Sequence, residues 1–189
     1  MYSDQKKKVN NQKVIDAATG SGLKDIVQSG VDKVKSYIPK WEDNPVPLKP
    51  GERHAPLVLP NGRIGYGSYI GPGTNLTDRL KNNVEPRTEV DKISQAHDIR
   101  YGLARDQLSI AKADKKMIKK LKESKGKDHW LNIQMGLRPI QAKYYLEKLG
   151  IIKPGTFASF GDATSEEIRL YRKKLNELEA QGYGLDFAT

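Results

Sequence analysis

Thr88-Glu89-Val90-Asp91-Lys92-Ile93-Ser94-Gln95-Ala96-His97-Asp98-Ile99-Arg100-Tyr101 is the stretch whose reading decides the fold. Thr88 is a good N-cap, and Glu89 and Asp91 follow in the first turn, where acidic groups face the positive end of the helix dipole. Val90, Ile93, His97 and Ala104 then recur at helical spacing. The pattern predicts a helix from near Thr88 with His97 on its apolar face. Tyr101 lies beside His97 one turn on, and Asp98 is rotated by about 100°.

A second helix is expected from about Ser109 to Leu121, with Ile110, Met117, Ile118 and Leu121 as its apolar face. That face is interrupted at Asp114. A carboxylate on the buried stripe of a short helix is costly without a partner. A short connection between the two helices implies that they pack antiparallel, which makes His97 the natural partner of Asp114.

Upstream, Tyr69-Ile70-Gly71-Pro72-Gly73 ends 24 residues before His97. Glycines at these positions let a backbone curl so that carbonyls turn toward a common point. A hard cation such as calcium takes carbonyl and carboxylate oxygens together. A histidine beside such a site can activate water against a polarised carbonyl.

The order of glycine loop, His-Asp-x-x-Tyr helix and helix with an inward aspartate resembles the calcium-dependent phospholipase A2 active site. The version most similar to it is the phospholipase domain of parvovirus minor capsid proteins. The resemblance spans residues 61–122 and includes Glu85-Pro86 and Asp91. It implies a mainly α fold: a small phospholipase A2-like domain with a glycine-rich calcium loop and two antiparallel catalytic helices, flanked by helical arms. It further implies Ca2+ held by the carbonyls of Tyr69, Gly71 and Gly73 and by both oxygens of Asp98. His97 would be the base that activates water against the sn-2 ester of a glycerophospholipid. Asp114 would orient His97, Tyr101 would support Asp114, and the Gly71 N–H would help hold the oxyanion. Thr74, where parvoviral versions often carry asparagine, is expected to be without consequence.

The chain has no cysteine. Secreted animal phospholipases A2 are stapled by disulfides, and here Ile70 and Arg100 stand where those enzymes carry cysteines. The parvoviral branch lacks them too, so the absence favours that branch and agrees with assembly in a reducing cell.

Outside the matched stretch, composition guides the division. Residues 1–42 read as an amphipathic helical arm carrying Leu23, Ile26, Val27, Val31, Val34 and Ile38. Such a stripe more often docks on a neighbouring domain than lies in a membrane. Residues 43–60, with five prolines, read as a linker. Residues 61–127 are the catalytic domain, with 61–83 expected as loop. Residues 128–189 are a helical appendage. In it, Leu137–Leu149 would be a helix interrupted by or starting at Pro139, with Tyr144, Tyr145 and Leu149 available for packing. Residues 151–162 read as loop. Thr164 with Glu167 would form a capping box for a last helix with Ile168, Tyr171, Leu175 and Leu178 on one face, ended by Gly182 and Gly184. His54 and His129 read as surface residues.

The polar start, Met1-Tyr2-Ser3-Asp4-Gln5-Lys6-Lys7-Lys8, reads as no secretory leader. No apolar run approaches the roughly 18–20 residues of a membrane span. The net charge of +10 points to an anionic partner. Lysines cluster at 6–8 and again between Lys112 and Lys127, either as a solvated face or as a surface for anionic membrane or nuclear import.

The leading expectation is a lipid hydrolase on a virus particle, acting on a phospholipid membrane surface in the endosome, with capsid proteins as partners and the nucleus as the site of assembly. Nucleic acid, through the basic clusters, is the less favoured partner. The alternative is a structural protein of the virion in which a non-catalytic phospholipase-like scaffold carries helices that bind capsid or nucleic acid. A third reading gives membrane lysis to the arm at residues 20–40.

Overall fold

The structure, a computed structural model, describes residues 28–29, 31–33, 39–153 and 162–184. The chain divides into residues 1–40 and 41–189. In the first unit residues 28–29 and 31–33 are helical. The remainder of the expected apolar stripe, and the lysine cluster at 6–8, lie outside the described residues.

The second unit is mainly helical. Its elements are β1 (Pro56–Val58), β2 (Ile64–Tyr66), α1 (Leu76–Lys81), α2 (Glu89–Leu103), α3 (Gln107–Glu123), α4 (Trp130–Lys148) and α5 (Ser165–Leu178). A π-helical turn over Glu179–Tyr183 continues α5 and bends at Gly182, whose φ is +93°. β1 and β2 pair antiparallel, with Leu57 opposite Gly65. No described helix is long and apolar enough to cross a membrane.

α2 and α3 start where their sequences require. Thr88 accepts from the Asp91 N–H and Asp106 from the Ser109 N–H, so each helix has one orphan donor satisfied. The two helices bury Val90, Ile93 and Ile99 in one cluster with Met117 and Leu121, and Ile110 is buried as well. Their antiparallel packing turns the face holding His97 toward the face holding Asp114.

The stretch expected as loop over 61–83 contains β2 and α1. Three residues of strand and six of helix are too short for either period to register. α1 makes one hydrophobic pair, Leu76 with Leu80, and forms because Asn75 caps it and tertiary contacts hold it.

The region from Trp130, expected as an appendage, packs on the core. α4 begins at Trp130 and runs through Pro139. Proline takes a donor from a helix interior. Met135, four residues earlier, and Pro139 are both exposed, so the ring sits on the outer face of the helix. Asn132 is buried on the inward face of α4: it accepts from Val58 N at 2.8 Å and donates to Val58 O at 2.7 Å. It thus pairs with the edge of β1 as a strand would. Gly136 lets α4 come close, since a Cβ there would lie 3.1 Å from side chains of Leu121 and Val90. Ile133 and Ile140 make the core contacts, whereas Tyr145 and Leu149, expected to pack, are exposed.

The capping box at Thr164 and Glu167 is present, and Tyr171 and Leu178 of α5 are buried. The Tyr171 ring packs against Gly102, where any Cβ would come within 2.6 Å of it. Thr77 of α1 bonds the Tyr171 hydroxyl at 2.6 Å and donates to Glu167 at 2.7 Å, which ties α5 to the chain just after the glycine loop.

Candidate active site

The glycine loop is shaped by which of its backbone groups are already occupied. The N–H groups of Ser68, Tyr69 and Ile70 all donate to the buried Asp91 carboxylate at 2.7–2.9 Å, and the Arg87 N–H completes that set. The carbonyls of Ile70 and Pro72 accept from Ala55 N and Arg53 N. Alternate carbonyls therefore face the other way. Those of Tyr69 and Gly71 converge, each 3.2 Å from the Thr74 hydroxyl. Gly71 and Gly73 have φ of +138° and +82°, and a Cβ at either would strike the backbone of residues 51–53. No other residue fits at these two positions.

Residues 51–54 form the back wall of the loop and carry a polar cluster. Glu52 is buried with Arg79: its carboxylate accepts Arg79 Nε at 2.9 Å and Nη2 at 2.8 Å, and the N–H groups of Lys49 and Asn75 at 2.8 Å. Burial would raise the Glu52 pKa, but the bonds from Arg79 and the two amides outweigh it and bring it down to about 2. His54, expected at the surface, is only 6% exposed. Its Nδ1 lies 2.7 Å from Gly67 O and its Nε2 3.3 Å from the Thr74 hydroxyl. Thr74, expected to be inert, is the hub that joins His54 to two loop carbonyls. His129 is exposed as expected and caps α4.

Facing the loop, His97 Nε2 donates to Asp114 Oδ1 at 2.9 Å. This bond sets the tautomer, leaving the lone pair of the neutral ring on Nδ1. Nδ1 lies 3.5 Å from Asp98 Oδ1. The Tyr101 ring stacks at a tilt, 4.1 Å from the imidazole, and its hydroxyl donates to the same Asp114 oxygen as His97. Lys143 of α4 donates to Asp114 Oδ2 at 2.7 Å and to Glu147 at 2.7 Å. Asp114, fully buried, thus has three donors. Burial alone would raise its pKa; the bonds from His97, Lys143 and Tyr101 hold it below the ordinary carboxylate value. Burial would lower the His97 pKa, yet Asp114 and Asp98 raise it above the usual imidazole value.

Burial pushes the Asp98 carboxyl above its usual pKa, and its Oδ2 atom is buried without a hydrogen-bond partner. Among the described residues no group of three His, Cys, Asp or Glu side chains could hold a metal ion. A cation here would have to use main-chain oxygens. The donor set suits one: an orphaned carboxylate oxygen, two convergent carbonyls, and Gly73 lining the same cleft as Asp98. All-oxygen ligation of that kind is what calcium takes.

Two clefts meet at His97, Asp98 and Lys143. One, of about 660 Å³, runs past Gly73, Thr74, Tyr101 and Tyr171. The other, of about 680 Å³, runs between Ile70, Met117, Ile140 and Leu146 and is walled mostly by apolar side chains.

Two antiparallel helices sharing a buried His–Asp pair, with a carbonyl-presenting glycine loop against them, form a phospholipase A2-like scaffold. The match to known families agrees. Residues 58–135 match the family model of the phospholipase A2-like domain, the family of the unique region of the parvovirus minor capsid protein. Comparison with curated proteins and with solved structures finds no match. The sequence reading missed Lys143, Glu52 and Arg79 as parts of this site. Lys143 and Glu147 stand four apart, as an ordinary surface ion pair does, so nothing in the sequence turned them inward.

Proposed function

We propose that the chain is a calcium-dependent phospholipase A2 that cleaves the sn-2 ester of glycerophospholipids. The observation that carries this reading is the His97 ring: Nε2 is committed to Asp114, Nδ1 lies 3.5 Å from Asp98 Oδ1, and both residues line the two clefts.

In the reaction, Nδ1 of His97 takes a proton from water as the water oxygen bonds to the ester carbonyl carbon. Asp114, held by Tyr101 and Lys143, stabilises the imidazolium that forms. The Gly71 N–H donates to the developing oxyanion. The carbon–oxygen bond to glycerol then breaks, and the imidazolium returns its proton to the leaving alkoxide. The products are a fatty acid and a lysophospholipid. Calcium, held by the carbonyls of Tyr69, Gly71 and Gly73 and by Asp98, would supply positive charge at the ester carbonyl. The apolar cleft suits an acyl chain and the more polar one a head group.

The biological setting follows from the family alone. A parvovirus-like particle would carry the domain with its capsid proteins, use it on the endosomal membrane of the host cell, and assemble in the nucleus. The biochemical test is fatty-acid release from mixed phospholipid vesicles, with calcium or excess chelator, for the chain and for His97→Ala. Release that needs both calcium and His97 supports the reading. A folded chain that binds calcium and releases nothing would instead be a structural scaffold.

A further inference from the structure

The exposed face of α4 is the wrong way round for a helix in water. Leu131, Met135, Pro139, Ala142, Leu146 and Leu149 succeed one another at steps of three or four and are all exposed, with Arg138 as the only charge among them. Leu149 is 72% exposed and Leu131 43%. The polar residues Asn132, Lys143 and Glu147 face inward instead. Single exposed leucines are ordinary, but a contiguous apolar stripe marks an interaction surface.

Two further observations say what it meets. The stripe is continuous with the apolar cleft, since Met135, Pro139, Ala142 and Leu146 line that cleft as well as the surface. The stripe carries cationic groups at its borders: Arg138 lies within it, Lys148 is exposed at its end, and Arg53 stands exposed at the cleft. An apolar stripe with basic margins fits the boundary between acyl chains and anionic head groups.

We propose that the exposed face of α4 is the surface by which this domain docks on an anionic lipid bilayer, placing the apolar cleft over the membrane. The inference rests on the phospholipase reading and adds the element that engages the lipid. A docked α4 lets an acyl chain slide from the bilayer along Leu146 and Met135 toward His97 without crossing water.

The test uses the full chain and a Leu131→Glu/Leu149→Glu double variant, because neither residue lines the cleft. Leu108→Glu, at a site 63% exposed on α3, is the control. Binding is measured by co-sedimentation with phosphatidylcholine vesicles containing phosphatidylserine. Hydrolysis is measured in parallel on a monomeric short-chain phosphatidylcholine, and folding by circular dichroism. The double variant should bind vesicles about tenfold or more weaker, with hydrolysis of monomeric substrate retained. The control should bind like the parent chain, and His97→Ala should bind normally while hydrolysing nothing. Equal vesicle binding by parent and double variant overturns the docking surface. So does a parent chain that dimerises in sedimentation when the double variant does not, because a second copy would then cover the stripe. Stripe-dependent binding without hydrolysis by the parent would leave the docking surface standing and remove the enzymatic reading.

Discussion

α3 and α4 both reach Asp114, yet they are built on opposite plans. α3 turns Ile110, Met117 and Leu121 inward and most of its lysines to solvent, so its surface serves solubility and its interior serves the fold. α4 turns Asn132, Lys143 and Glu147 inward beside Ile133 and Ile140 and leaves Leu131, Leu146 and Leu149 outside. A helix that spends polar groups on the interior is positioning something there. One that leaves apolar groups outside has a partner other than its own core. The contrast separates the support of Asp114 from the candidate docking face, although one helix carries both.

The largest expected effect falls where the two helices meet. Asp114→Asn keeps the shape but presents an amide to His97 and favours the wrong tautomer. The kcat on monomeric short-chain phospholipid should fall by about three to four orders of magnitude. A loss below tenfold would mean that Asp114 serves α3 packing and not the imidazole.

Next in size is the wall behind the glycine loop, which neither helix supplies. Glu52→Gln leaves Arg79 buried beside a neutral partner, and the loss in unfolding free energy should be about 3–5 kcal/mol in denaturant titration. The pH dependence has a definite sign. The folded pKa of Glu52 is lowered from 4.5 to about 2, so its stabilisation is present above about 4.5 and is lost as pH falls through about 2. The parent chain should weaken over that window, and Glu52→Gln should show a shallower acid limb.

The inward polar face of α4 ranks third. Lys143→Met keeps the length of the side chain and removes one donor from Asp114. We expect kcat to fall about ten- to a hundredfold with KM little changed, as for a displaced supporting group. Lys143→Arg should recover part of the rate. A change in KM alone would assign Lys143 to the head group in the cleft it lines, and not to the support of Asp114.

The same contrast explains what could be read in the sequence. α2 and α3 were legible because their apolar residues keep a helical period, and Asp114 stood out as a break in it. α4 was legible only from Leu137 on, because its outer face is apolar and its inward polar residues look like surface ones. Its start at Trp130 depends on Asn132 bonding β1, a contact 74 residues away in sequence. His54, Glu52 and Arg79 lie in stretches with no period, so their burial is set by tertiary packing alone. Thr74 is a site residue through its hydroxyl bonds to the carbonyls of Tyr69 and Gly71, and side-chain identity alone gives no sign of those.

The smallest effect tests whether the outer face of α4 contributes to the fold. Leu149 is 72% exposed and ends its helix, so Leu149→Gln removes little buried apolar area. The change in unfolding free energy should stay within about 0.5 kcal/mol, the ordinary range for surface sites. Ile140→Ala, on the inner face of the same helix and 7% exposed, should cost about 2–5 kcal/mol. Thermal or denaturant unfolding of the two variants compares the faces directly. If Leu149→Gln proved as costly as Ile140→Ala, the outer leucines would be covered in the native state by another part of the chain. The apolar stripe would then belong to the core and would have no free surface to offer a membrane.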